Sequence, residues 1–404
     1  MNSIKFDINK RLNLSSIEKE AINSRVRELL TRAQEYASLH SHEQVDLTVD
    51  SISNLNKLCQ TYQNKKICLF TGAGVSFTES RYYQTPGWWD LLMEIYGLIH
   101  PEISDAEIPA KFEQVRKIYF QPWQMASHLE EIAGKEKFID ILRRLFYHRT
   151  TKHSLKQRTI SADKDKRLPI EYLNHALTLN AVIAFGSKIR AIRKHPCFVK
   201  NEKIEAVLTL NYDCFLEAGA TQKYNSGKFK PRISRERAHR NDQLPVYHIH
   251  GYIPYGGRKP AKGLVLTEAS YQKAYQKEGD ASIILNNFLS RFSTLFIGIS
   301  FNDELLLKQL ERLAKRNEVK NYFAFLKIGT SNVLLNRLRS VNVFPILVEA
   351  YERIPLILKQ VYQTSMPSTP LVEIEARIEN RIRKVGFIEL TKNEYWELLL
   401  YNKK

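Results

Sequence analysis

The sequence predicts an α/β fold: a Rossmann-like, mainly parallel sheet with helices on both faces, a large helical insertion, and helical appendages at both ends. Three observations predict it. An apolar run of strand type, Ile67 to Phe70, leads into the turn Gly72-Ala73-Gly74-Val75-Ser76. Short apolar runs return after Glu205 and alternate with amphipathic stretches, the pattern of a parallel sheet covered on both faces. Residues able to do chemistry stand directly after several of these runs, where ligands bind in parallel sheets.

Taken in order, the chain opens on a helical prefix, residues 1–63. Ser15-x-x-Glu18 is a capping-box pattern, and Ile22, Val26, Leu29, Leu30, Ala33 and Ala37 follow at helical spacing. A second helix carrying Ile52, Leu55, Leu58 and Tyr62 leads into the first strand. In the turn after that strand, Gly72 gives backbone freedom, Gly74 lets an anion approach closely, and the helix beyond offers free amides. The third glycine of the dinucleotide fingerprint is missing, because Phe77 stands in its place. After the Thr85-Pro86-Gly87 break, Trp88 to Ile99 reads as an amphipathic helix. Helical patterns at Ile132–Tyr147 and Tyr172–Phe185, with no convincing strand before Glu205, make about 77–204 a helical insertion.

Six strands are expected beyond it: Ala206–Leu210, Val246–His250, Leu264–Leu266, Leu295–Ile299, Tyr322–Phe325 and Val343–Val348. Helices are expected at Ala281–Phe292, Asp303–Lys315, Val333–Leu338 and Ile354–Tyr362. Residues 64–364 form the main domain on this reading, and Ser365–Pro370 a linker to an appendage, 365–404. That appendage has an apolar side (Leu371, Ile374, Ile378, Ile382; Trp396, Leu399, Leu400), suited either to docking on the body or to self-assembly.

Composition narrows the class. With 43% apolar and 26% charged residues, the 404-residue chain is that of an ordinary globular protein. No run approaches a membrane span and no signal-type segment opens the chain, so a cytoplasmic, membrane-free protein is expected. Cys59, Cys68, Cys197 and Cys214 form no C-x-x-C pair, which argues against a disulfide framework and a cysteine zinc site. The net charge of +18 concentrates in Lys152–Arg167, Lys188–Lys203 and Lys223–Arg240. Such runs are either solvated loops or a nucleic-acid face.

The residues just past the strands carry the chemistry. Asn211-Tyr212-Asp213 comes after Leu210, His250-Gly251 after Ile249, and Ser300-Phe301-Asn302-Asp303 after Ile299. Each has a plain alternative: Asp213 as a helix cap, His250 as a hydrogen-bonded structural histidine, Asp303 as a cap. His248 shares the period-2 face with His250 and reads as a buried structural residue, since no further ligand completes a metal shell. Trp88 and Trp89 read as helix packing.

In these pieces the chain resembles the sirtuin superfamily: Gly-Ala-Gly-Val-Ser, Thr209-Leu210-Asn211-Tyr212-Asp213, His250-Gly251 and Gly298-Ile299-Ser300, in the family's order. Pro86-Gly87-Trp88 and Leu266-Thr267-Glu268-Ala269-Ser270-Tyr271 make it similar to the sirtuin-like effector domains of bacterial anti-phage defence. The resemblance covers roughly 64–350. It implies that Gly72, Ala73, Gly74 and Ser76 bind phosphate and that Gly298 and Ser300 contact the nucleotide. It further implies that Asn211 holds the nicotinamide ribose and a water, Asp213 reads the carboxamide, and His250 is the base. The sirtuin zinc cysteines are absent, and Arg81 only loosely replaces the arginine motif of deacylating members. An NAD glycohydrolase is therefore expected, with NAD as substrate and no metal. The alternatives are a non-catalytic NAD or ADP-ribose-binding regulatory module and, behind it, a protein deacylase or ADP-ribosyltransferase. The resemblance also implies restraint, by homo-oligomeric packing or by a partner such as a translocase-type ATPase or an Argonaute-like protein.

Overall fold

The computed structural model describes residues 49–76, 87–119, 121–147, 176–192, 195–224, 229–233, 243–254, 260–316 and 320–364. The expected helix over Ser15–Ala37, Arg81, Lys152–Arg167 and the 365–404 appendage lie outside the described residues.

Seven parallel strands form the sheet, in the order β5-β6-β4-β1-β7-β8-β9. They are β1 (Ile67–Thr71), β4 (Ile204–Thr209), β5 (Phe229–Arg232), β6 (Leu244–His248), β7 (Ser293–Ile297), β8 (Tyr322–Lys327) and β9 (Val343–Val348). Every residue of β1, β6 and β7 is buried, as in a parallel sheet covered on both faces. One face packs Cys68, Phe70, Leu208 and Phe296 against α8 (Glu268–Tyr275), α9 (Asp280–Leu289), α10 (Glu304–Lys315) and α11 (Asn332–Ser340). On the other, α1 (Val49–Asn64) lies along β9: Asn54 Nδ2 donates to the Pro345 carbonyl at 2.7 Å, and the Leu347 amide to Ser51 Oγ at 2.9 Å.

The helices of the insertion are α2 (Trp88–Ile99), α3 (Ile108–Arg116), α4 (Pro122–Ala133), α5 (Lys135–Tyr147) and α6 (Leu177–Phe185). Helix α7 (Phe215–Tyr224) follows β4, and α12 (Ile354–Thr364) closes the described chain. The chain divides into two compact units. One, residues 47–188 and 199–361, holds the sheet and all the candidate site residues. In the other, 189–192 and 195–198 belong to two strands, β2 (Ser187–Ile192) and β3 (His195–Lys200), paired in a sheet of their own.

Three expectations need correction. The insertion is not strand-free, because β2 and β3 lie in it; their lysines, arginine and proline hide the strand signal. Leu264–Leu266 is not a strand, although its backbone docks on the site, the Val265 amide donating to the His250 carbonyl at 2.9 Å. Strand β5 is an additional edge strand carrying Pro231, which an edge tolerates.

Candidate active site

Strand β1 lies between β4 and β7, and the chain leaves it to build one side of the sheet before returning to build the other. This is the topological switch point, whose diverging loops open a place for a ligand at the carboxyl edge. The glycine turn stands there. Ala73–Val75 form a single 3₁₀ turn, and Ala73 is exposed.

The glycines are needed for closeness between two turns. Gly72 has an extended φ of −123°, which any residue adopts, so the expectation that it needs glycine's backbone freedom is corrected. A Cβ on Gly72 would stand 2.5 Å from the Gly298 carbonyl oxygen. Gly298 itself has φ +68°, in the left-handed region that favours glycine. The expected free amides are largely engaged: Gly72 donates to Ile297, Gly74 to Gly298, Val75 to Gly72 and Ser76 to Ala73, each at 3.0 Å. The turn is therefore latched to β7, and Ala73 is where its surface opens.

Asn211 and Asp213 meet this turn through one hydroxyl. Asn211 Nδ2 donates to Ser76 Oγ at 3.1 Å, and Ser76 Oγ donates to Asp213 Oδ2 at 3.3 Å. Asp213 Oδ1 also accepts the Phe215 amide at 3.1 Å, so the cap and the site role coexist. Burial pushes the Asp213 carboxyl up to about 6, against the lowering effects of the Phe215 amide and His248.

His250 lies one strand over. Thr209 and His248 are paired in β4 and β6, so Asn211 and His250 each stand just beyond matched strand ends. The imidazole is buried, with Nε2 2.8 Å from the Tyr275 hydroxyl and Nδ1 3.5 Å from that of Tyr271. Tyr212 packs beside it, ring centroids 6.0 Å apart, and also meets the Trp88 ring at 5.7 Å and the Phe146 ring at 6.3 Å. Desolvation holds the His250 imidazole down to about 4, only partly opposed by Asp303, whose Oδ2 lies 3.8 Å from Nε2. Asp303 is also the N-cap of α10, accepting from the Leu305 and Leu306 amides. His250 is thus neutral at physiological pH, the state a base requires.

His248 and His250 engage different partners, because β6 ends at His248 and the chain turns there. His248 Nδ1 meets the Asn211 carbonyl at 2.9 Å and Nε2 meets Glu217 Oε1 at 2.8 Å. Ligand atoms of Cys214, Glu217 and His248 lie within 4.8 Å of one another, the only such metal-type group among the described residues. Ser300 is exposed on the turn after β7.

Sequence reasoning missed Tyr275 and Glu217 as members of this neighbourhood. Both had a signal: Tyr275 follows Tyr271, and Glu217 follows Asp213, at the spacing that brings residues to one side of a helix.

Residues 205–346 match the family model described as SIR2-like domain. Over that stretch the chain is similar to a SIR2-like domain. The match brings a sirtuin-like, NAD-related function, and it spans Asn211, Asp213, His250, Gly298 and Ser300 while leaving the glycine turn outside. No curated protein matches the chain. Among the described residues, no helix is long and apolar enough to cross a membrane.

Proposed function

We propose that the SIR2-like domain is an NAD glycohydrolase, cleaving NAD to nicotinamide and ADP-ribose. The observation that carries the reading is the Asn211–Ser76–Asp213 linkage at the sheet's switch point, beside His250. Cleavage breaks the bond between ribose C1′ and the nicotinamide nitrogen, and a water oxygen takes its place on C1′. Positive charge builds on the ribose while nicotinamide leaves neutral. Asn211, with both donors and an acceptor, suits a ribose hydroxyl or the water, and ionised Asp213 suits the carboxamide N–H₂. Exposed Ala73 and the latched glycine turn leave backbone surface at the same edge for the phosphates. His250 takes the water's proton, exchanging the Tyr275 hydroxyl for the nucleophile.

Free cleavage of NAD is toxic, so the reading includes restraint. By resemblance to anti-phage effectors, the protein acts in abortive infection and is released by a partner ATPase or Argonaute-like protein, or by a change in self-association. The test is chromatography of NAD and its products after incubation with the full chain, alone and with the neighbouring gene's product. Nicotinamide and ADP-ribose in equal amounts support the reading. NAD that binds and is recovered intact under both conditions overturns it.

One observation favours a second reading. Both His250 nitrogens face tyrosine hydroxyls, an arrangement that suits a regulatory module binding NAD or ADP-ribose without cleaving it. The same chromatography separates the two.

A further inference from the structure

Asn211 is held from both ends. Its side-chain amide donates to Ser76, and its backbone carbonyl receives the His248 ring, whose far nitrogen reaches Glu217 at the start of α7. Both His248 and Glu217 are buried. A carbonyl oxygen only accepts, so Nδ1 must carry a hydrogen, and an ionised carboxylate only accepts, so Nε2 carries one as well. Burial alone pushes the His248 imidazole down, but the Glu217 charge and hydrogen bond, with the Asn211 carbonyl, outweigh it and raise it.

Cys214 makes a metal the competing occupant of this cluster. Two ligands at about 2.0–2.1 Å from a tetrahedral zinc ion would stand roughly 3.3 Å apart. The 2.8 Å contact between Nε2 and Oε1 is the length of a charge-assisted hydrogen bond. It favours a proton between them.

We propose that Glu217 and His248 are positioning residues for Asn211: the ring, donating from both nitrogens, fixes the Asn211 backbone so that its side chain meets Ser76. The consequence for turnover rests on the NAD-cleaving reading, whereas the clamp itself does not.

The experiment uses the full chain labelled with ¹⁵N-histidine, as wild type, Glu217→Gln, Glu217→Ala and His248→Phe, the last assigning the His248 signals. The expected wild-type spectrum shows hydrogens on both His248 nitrogens. In Glu217→Gln the Nδ1 hydrogen persists and the Nε2 hydrogen is lost, because the new amide can donate to a neutral ring. Nicotinamide release per folded molecule falls about 10–100-fold in kcat for Glu217→Ala and His248→Phe with KM nearly unchanged, and Glu217→Gln recovers most of it. A wild-type ring with one hydrogen overturns the clamp, as does a stoichiometric metal by elemental analysis. Variants that lose thermal stability while keeping wild-type kcat reduce the pair to a structural role and overturn the proposal. A wild type that releases no nicotinamide, both alone and with the neighbouring gene's product, strikes the NAD-cleaving reading alone, and the ring hydrogens still decide the clamp.

Discussion

Gly74 donates its amide to the Gly298 carbonyl at 3.0 Å, and a Cβ on Gly74 would stand 2.8 Å from the Gly298 Cα. The glycine turn and the β7 turn are thus one object, built backbone against backbone.

Gly298→Ala tests that contact. The new Cβ would meet the Val75 nitrogen at 2.6 Å, on top of the strain of φ +68°. Gly134 has φ +77° with nothing within 4 Å, so Gly134→Ala isolates the strain, about 1–2 kcal/mol. Thermal denaturation is expected to show a clearly larger loss for Gly298→Ala. Equal losses would mean the packing carries no energy.

Asn211→Ala and His250→Ala are expected to fold and to lose turnover. A proton acceptor alone contributes about 10²–10⁴-fold. Circular dichroism checks the fold and product chromatography the rate. Wild-type NAD consumption by either variant removes that residue from the site.

The pH profile should belong to Asp213. His250, held down to about 4, stays neutral over the working range, while Asp213, pushed up to about 6, becomes ionised only above it. The acid limb of kcat/KM is expected near pH 6, and in Asp213→Asn the residual activity should keep no limb there. A limb that stays near 6 in that variant assigns it to another group.

The same two groups oppose each other in stability. Asp213 is raised from an ordinary 3.8, so its contribution is present at low pH and lost as pH rises through about 6. His250 is lowered from 6.5, so its contribution is present at high pH and lost as pH falls through about 4. Between these limits the terms offset. Asp213→Asn keeps the cap and removes one of them, so its melting temperature should fall as pH drops from 6.5 to 4 more steeply than that of the wild type. Parallel curves would show that Asp213 is not raised.

Much of this was legible because parallel strands buried on both faces announce themselves as apolar runs. Val343–Val348 appears in the structure with the bounds read from sequence, and β1, β4, β6, β7 and β8 overlap their expected positions. Asn211, Asp213 and His250 could be assigned to one edge because each stands at or just past the end of an expected strand, whereas Gly298 lay inside the expected Leu295–Ile299 and was assigned only through the resemblance. Strands β2, β3 and β5 escaped because charge and proline interrupt them, their places being set by pairing that local pattern does not encode. Leu264–Leu266 misled for the converse reason: it is apolar because it packs on the site. The Glu217–His248–Asn211 chain was invisible as a unit, since its members become neighbours only when β6 pairs with β4.

The central place of β1 also has a meaning for biosynthesis. Its two hydrogen-bonding neighbours are paired at Thr71 with Thr209 on one side and with Ile297 on the other. A nascent chain therefore carries its glycine elbow long before the walls around it exist. Only after Gly298 has left the ribosome can the elbow close, so prematurely terminated products, however many of its motifs they hold, lack an assembled site.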